Sequence, residues 1–157
     1  MTTLFPIVTA DVALFTVIDG TLRVLLLQRD NQPQAGAWAL PGALLKPDKD
    51  DSLEQTARRA LADKTRVDIP HLEQVSVFSS RERDPRGYSV AVLFYALLPA
   101  ARLDLPQKPG MYVFEVQATS EGWVTSTMAT TVGELNAISH GSMPELESLN
   151  QLALEEN

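Results

Sequence analysis

The chain has no cysteine among its 157 residues. It therefore forms no disulfide or thiolate-bound metal site and offers no cysteine nucleophile. Histidine is scarce too: His71 and His140 stand far apart, with no second imidazole at ligand spacing, so neither a zinc site nor a histidine relay is outlined. No apolar run approaches the roughly 20 residues a membrane helix needs, and the opening segment lacks the basic flank of a leader. The expectation is a cytoplasmic protein with no membrane partner. Basic residues are outnumbered, 13 Lys and Arg against 20 Asp and Glu, for a net charge of −7. No block of them is long enough to track a phosphate backbone, so composition argues for no nucleic acid partner and leaves room only for small anions held by local Arg clusters.

What is present fits one domain spanning 1–157, a length that buries a sizeable core without covalent staples. Two β-rich apolar runs, Asp11 to Ile18 and Leu22 to Gln28, are joined through Asp19-Gly20-Thr21, which supplies residues tolerant of positive φ and predicts a hairpin. After Arg23 the second run is apolar on both faces, as a central strand would be. A polar stretch from Asp30 to Ala37 precedes Trp38-Ala39-Leu40-Pro41-Gly42, read as a short strand and a sharp turn. Charged residues Lys46 to Asp50 lead to Asp51-Ser52-Leu53-Glu54, whose first acid and final Glu have capping-box spacing and start a helix running to about Thr65. Further strands are predicted at Leu72 to Ser79, Tyr88 to Leu98, Met111 to Ala118 and Gly122 to Thr125. Ser142, Pro144 and Glu145 open a last helix with Leu146, Leu149 and Leu152 near one face. The class is mixed α/β, an α+β arrangement on a mixed sheet.

Trp38-Ala39-Leu40-Pro41-Gly42, then a loop, an acid, and Arg59 in a helix resemble the Nudix hydrolase superfamily. Its motif runs Gly, five residues, Glu, seven residues, Arg-Glu, an aliphatic, any residue, Glu-Glu, any residue, Gly. Asp51 takes the first Glu position, Arg59 the Arg, Leu61 the aliphatic and Asp63 the first of the paired acids. Ala60, Lys64 and Arg66 depart from Glu, Glu and Gly, Ala43 replaces the motif's first Gly, and the loop before Asp51 is two residues longer. The resemblance implies an α/β/α sandwich and, in active members, a Mg-dependent attack of water on a diphosphate.

Positions 60, 63 and 64 share one helix face. Where an active member gathers three carboxylates around a hard dication, this chain has Ala, Asp and Lys. An ammonium about 4 Å from a divalent ion costs on the order of 8 kcal/mol at an effective dielectric of 20. A swing of the lysine outward would lessen that cost.

A second likeness lies in Leu72-Glu73-Gln74 and in Arg83-Asp84-Pro85-Arg86-Gly87-Tyr88-Ser89-Val90, which are similar to the Nudix domains of regulators of NAD metabolism and of ADP-ribose pyrophosphatase-like proteins. The likeness implies a small-molecule nucleotide such as ADP-ribose as ligand and a homodimer as the assembly. The regulators continue into a winged-helix domain, which is not seen before Asn157. On this reading the candidate catalytic residues are Asp51, Arg59 and Asp63, the metal candidates Asp63 and Glu54, and the ligand-binding candidates Arg81, Arg83, Arg86, Trp38 and Gly42. Each has a plain alternative: the arginines pair with Glu82 and Asp84 in a solvated turn, Arg59 pairs with Asp63 along the helix, and Trp38 fills core. The preferred function is recognition of ADP-ribose or a related nucleoside diphosphate derivative with hydrolysis lost or strongly weakened. The alternatives are an active Mg-dependent hydrolase using substitute carboxylates, and an oligomeric scaffold domain with no ligand.

Overall fold

The computed structural model describes residues 5–103, 109–120 and 122–131. Strands β1 (Ile7–Ile18) and β2 (Thr21–Gln28) form the expected hairpin. Asp19 and Gly20 occupy its two-residue turn with φ of 51° and 77°, the mirror-image turn that matches strand twist. Two short strands follow, β3 (Trp38–Ala39) on β2 and β4 (Gly42–Leu44) on β1. Helix α1 (Leu53–Thr65) leads to β5 (Glu73–Ser80), β6 (Ser89–Pro99), β7 (Met111–Thr119) and β8 (Gly122–Thr131). The sheet order is β5-β6-β1-β2-β7-β8. All its pairings are antiparallel except β1 with β6, which run parallel from Ile7 beside Ser89 to Val17 beside Pro99. The protein is thus a mixed α+β fold on a mixed sheet.

Strand periodicity sorts the core into two faces. Ala10, Val12 and Leu14 of β1 and Val92, Phe94, Ala96 and Leu98 of β6 join Ala57 and Leu61 of α1. Val24 and Leu26 of β2 and Phe114 and Val116 of β7 form the opposite cluster, against Trp38, Leu40 and Tyr112. With Leu25 in the first cluster and its two neighbours in the second, β2 is a central strand buried on both sides, as its apolar run implies.

β1 is longer than the predicted run, starting at Ile7, so Asp11 sits within the strand and not at its edge. The helix cap also shifts by one. Ser52 is the N-cap, its hydroxyl accepting from the Gln55 N–H at 3.1 Å, while the Gln55 side-chain oxygen accepts from the Asp51 N–H. The helix predicted from Ser142 lies outside the described residues. No helix among the described residues is long and apolar enough to cross a membrane.

Candidate functional site

The N-terminal half of α1 is clasped to the loop before it. Arg59 donates from Nε to Asp50 Oδ1 at 2.8 Å and from Nη2 to Asp50 Oδ2 at 2.6 Å, and reaches the Leu44 carbonyl at 2.8 Å. Asp50 also accepts from the Lys46 N–H at 2.9 Å and the Thr56 hydroxyl at 3.0 Å, with its side chain only 1% exposed. A carboxylate collecting this many donors, two from a planar guanidinium fork, is held well below the usual carboxylate range, with the Arg59 bonds the largest cause. The clasp closes the long loop over the helix start.

The other end of the helix builds a different environment. Lys64 donates its ammonium to the Gly42 carbonyl, bringing the last turn of α1 onto β4. Gly42 pairs with Asp11 across the β1–β4 ladder. A Cβ at Gly42 would lie 1.8 Å from Asp11 Oδ1 and 3.2 Å from the Ala10 carbonyl, so only glycine leaves room for the carboxylate. Burial pushes the Asp11 carboxyl up to about 6, against a bond from the Thr9 hydroxyl at 3.3 Å and the charges of Arg83, Lys64 and Arg29. Burial likewise lowers the Lys64 ammonium, opposed by Asp11, Asp30 and Asp63 and reinforced by Arg29. Three cations from three separate segments therefore act through space on one carboxylate at the β1–β4 junction, each with its hydrogen bonds made elsewhere.

The other sequence candidates divide. Arg83 turns inward, donating to the Phe78 carbonyl at 3.3 Å and the Ser89 hydroxyl at 3.4 Å. Arg86 instead forms a two-pronged pair with Asp84, at 2.9 and 2.7 Å, and Arg81 is exposed. Trp38 packs edge-on against Tyr112 and Phe114, with ring centroids 5.3 and 5.1 Å away, in the core cluster on the sheet's second face. Asp51 and Asp63 are exposed. Arg59 turns its fork to Asp50, leaving Asp63 to act on it only through space. Glu54 pairs with Arg58 at 2.9 Å. Nine residues separate Glu54 from Asp63, about 13 Å along the axis and half a turn around it, so the helix does not bring these two acids together.

A divalent ion of the magnesium type needs several hard oxygen ligands at one point. Among the described residues no three of His, Cys, Asp and Glu gather in that way. Position 60 is a buried Ala, and the Gly42 carbonyl, an oxygen facing the helix, is taken by Lys64. This donor set does not fit such an ion. Two residues that shape the site, Asp50 and Asp11, are not among the sequence candidates. Asp50 is the neighbour of the candidate acid Asp51, and Asp11 is an acid inside an apolar β-run, the signal that could have marked it.

A family model of the NUDIX domain matches residues 8–143. The chain belongs to the Nudix family. Over 93 residues this Nudix chain is 47% identical to the ADPR responsive transcriptional repressor NtrR of Acinetobacter baylyi, covering 59% of the chain and 37% of the repressor. It thus spans little more than a third of that relative's length. The structure of the Nudix domain of Shewanella oneidensis NrtR complexed with ADP ribose matches with a TM-score of 0.63 and 32% identity, over 98% of this chain and 87% of that one. Shewanella oneidensis NrtR complexed with a 27mer DNA matches at TM-score 0.62 and 40% identity, over 68% of this chain and 49% of that one. The expectation of no nucleic acid partner is overturned by these relatives, one a transcriptional repressor and one solved on DNA. Net charge described only the surface of these 157 residues, and each of those two proteins is matched over less than half its length.

Proposed function

We propose that this Nudix domain recognises ADP-ribose or a related nucleoside diphosphate derivative, with metal-dependent pyrophosphohydrolase activity lost or strongly weakened. The observation that carries the reading is the Lys64 ammonium on the Gly42 carbonyl. Hydrolases of this fold use a divalent metal, and here a cation of the protein's own occupies the oxygen beside which carboxylates would gather. The similarity over nearly the whole chain to a domain solved with ADP ribose supplies the ligand class. The similarity to a repressor responsive to ADPR extends the reading to a DNA-binding regulator that senses this ligand. In such a regulator the effector acts by binding one conformational state better than another, and needs no chemistry to do so.

Calorimetric titration with ADP-ribose, with and without magnesium, tests the reading alongside an assay for AMP release. Binding without magnesium and no AMP is the expected result. Magnesium-dependent AMP release that disappears in Asp63→Ala would overturn the loss of hydrolysis. Absence of ADP-ribose binding under both conditions would overturn the ligand.

A further inference from the structure

We propose that Lys64 is a built-in replacement for the divalent cation: its ammonium, anchored on the Gly42 carbonyl, is the positive charge that meets a diphosphate, with Asp11 as the internal counter-charge. The inference rests on the reading above for the nucleoside part of the ligand, but its electrostatic core concerns the diphosphate alone.

Three observations carry it. The helix register puts residue 64 over β4, where its exposed side chain turns back to donate to the Gly42 carbonyl and leaves the rest of the ammonium open to a ligand. The floor of the site is shaped around an acid: Gly42 leaves space that the Asp11 carboxylate fills, and any side chain at 42 would evict it. Arg83, from the β5–β6 connection, and Arg29, from the end of β2, act on the same carboxylate as Lys64. Asp30 and Asp63 add negative charge beside Lys64 but are exposed at its rim.

The chemistry of a resident ammonium differs from that of a metal in two ways. It binds phosphate oxygens by charge and hydrogen bonds but supplies no activated water, so it holds a diphosphate without cleaving it. It also carries Asp11 as an internal anion that competes for the same cations, so removing the Asp11 charge and removing the Lys64 charge must shift anion affinity in opposite directions. A purely structural role for Lys64, bracing α1 on β4, predicts no such opposition.

The test is calorimetric titration of the full chain with inorganic pyrophosphate and, separately, ADP-ribose, in the presence of EDTA. Lys64→Gln is expected to weaken both ligands by about tenfold or more, the worth of a charged hydrogen bond. Lys64→Arg should restore most of the loss, and Asp11→Asn should tighten pyrophosphate severalfold. Circular dichroism melts of each variant separate loss of fold from loss of binding. Unchanged affinity in a folded Lys64→Gln, or weaker binding in a folded Asp11→Asn, overturns the inference while leaving the proposed function standing. Lys64-dependent pyrophosphate binding without ADP-ribose binding supports the inference and sinks the nucleoside reading. Failure of the wild type to bind either ligand in EDTA overturns the inference, and failure to bind ADP-ribose with magnesium as well overturns the ligand.

Discussion

The two ends of helix α1 hold two acids under opposite regimes. At its start, Asp50 accepts from Arg59, Lys46 and Thr56 and is held firmly charged. At its end, Asp11 is held by burial in a less charged state, pushed up to about 6, although three cations face it. Asp50 is the more buried of the two and Asp11 only half-buried, so the difference does not follow from exposure and lies in hydrogen bonding. Direct donors from a guanidinium fork, a backbone N–H and a hydroxyl outweigh desolvation, whereas cations acting through space and one long hydroxyl bond do not. In the first case the acid serves as a fastener for the loop; in the second it remains available to exchange its partners. The start of the helix is built for geometry, and its end for charge.

The sharpest way to break this contrast is Asp50→Asn. Asparagine keeps the shape but turns a donor toward Arg59 or Lys46 and leaves the guanidinium without its counter-charge. Among substitutions at either end of the helix, this one should lose the most thermal stability. Because the native carboxyl lies below its ordinary value of 3.8, its contribution is fully present above about pH 4 and fades as pH falls through the native value. The difference in Tm between wild type and Asp50→Asn should therefore be wide at pH 7 and narrow progressively in acid. A gap that does not change between pH 7 and pH 3 would show that the charge of Asp50 is not what fastens the loop.

Asp11→Asn sharpens the comparison from the other side. A raised carboxyl means that the folded state holds a proton between about pH 4 and pH 6 that the unfolded chain has released, so the wild type loses stability as pH rises through that window. The shift from 3.8 to about 6 sets that loss at roughly 2–3 kcal/mol as an order of magnitude. The groups that face Asp11 are Thr9 on its own strand, Lys64 of α1, Arg83 beyond β5 and Arg29 beyond β2. Comparison of wild type with Asp11→Asn isolates the part of the slope that belongs to Asp11. Urea unfolding at pH 4.5 and pH 7 should show the decline in wild type and little of it in Asp11→Asn. An equal decline in both would place the titrating group elsewhere.

Much of the frame was legible because it rests on neighbours in sequence. Asp19-Gly20 specifies the hairpin turn, alternation sorts β1 and β6 into faces, and Ser52 with Gln55 carries as good a capping pattern as the Asp51 and Glu54 that the sequence suggested. The misplacements arise where one residue's role is decided by distant chain. Asp50 and Asp51 are chemically the same, and only closure of the loop from Leu44 onto Arg59 selects the first. Asp11 looked like the border of a strand because an acid is a poor strand residue. Its place is fixed by the pairing of β4 on β1 and by a lysine 53 positions later. Arg83 and Arg86 sit in one turn with the same chemistry, yet Asp84 claims the second and the protein interior receives the first.

The smallest expected effect lies just past the charged end of the helix, at Arg66. This residue closes α1 in the left-handed conformation, with φ of 59° and ψ of 14°, and its N–H donates to the Ala62 carbonyl at 3.1 Å. The family motif places Gly here, and a side chain in this conformation costs about 1 kcal/mol through crowding of Cβ against the following carbonyl. Arg66→Gly removes that cost but loosens the unfolded chain, which returns part of the gain. A net rise of about 0.5 kcal/mol, roughly 1–2 °C in Tm for a domain of this size, is the expected outcome. Arg66→Ala keeps the strained backbone and loses only the guanidinium, so it should not rise. A fall in Arg66→Gly matched by an equal fall in Arg66→Ala would mean that the guanidinium itself stabilises the helix end, and that both ends of α1, not one, are fastened by arginine.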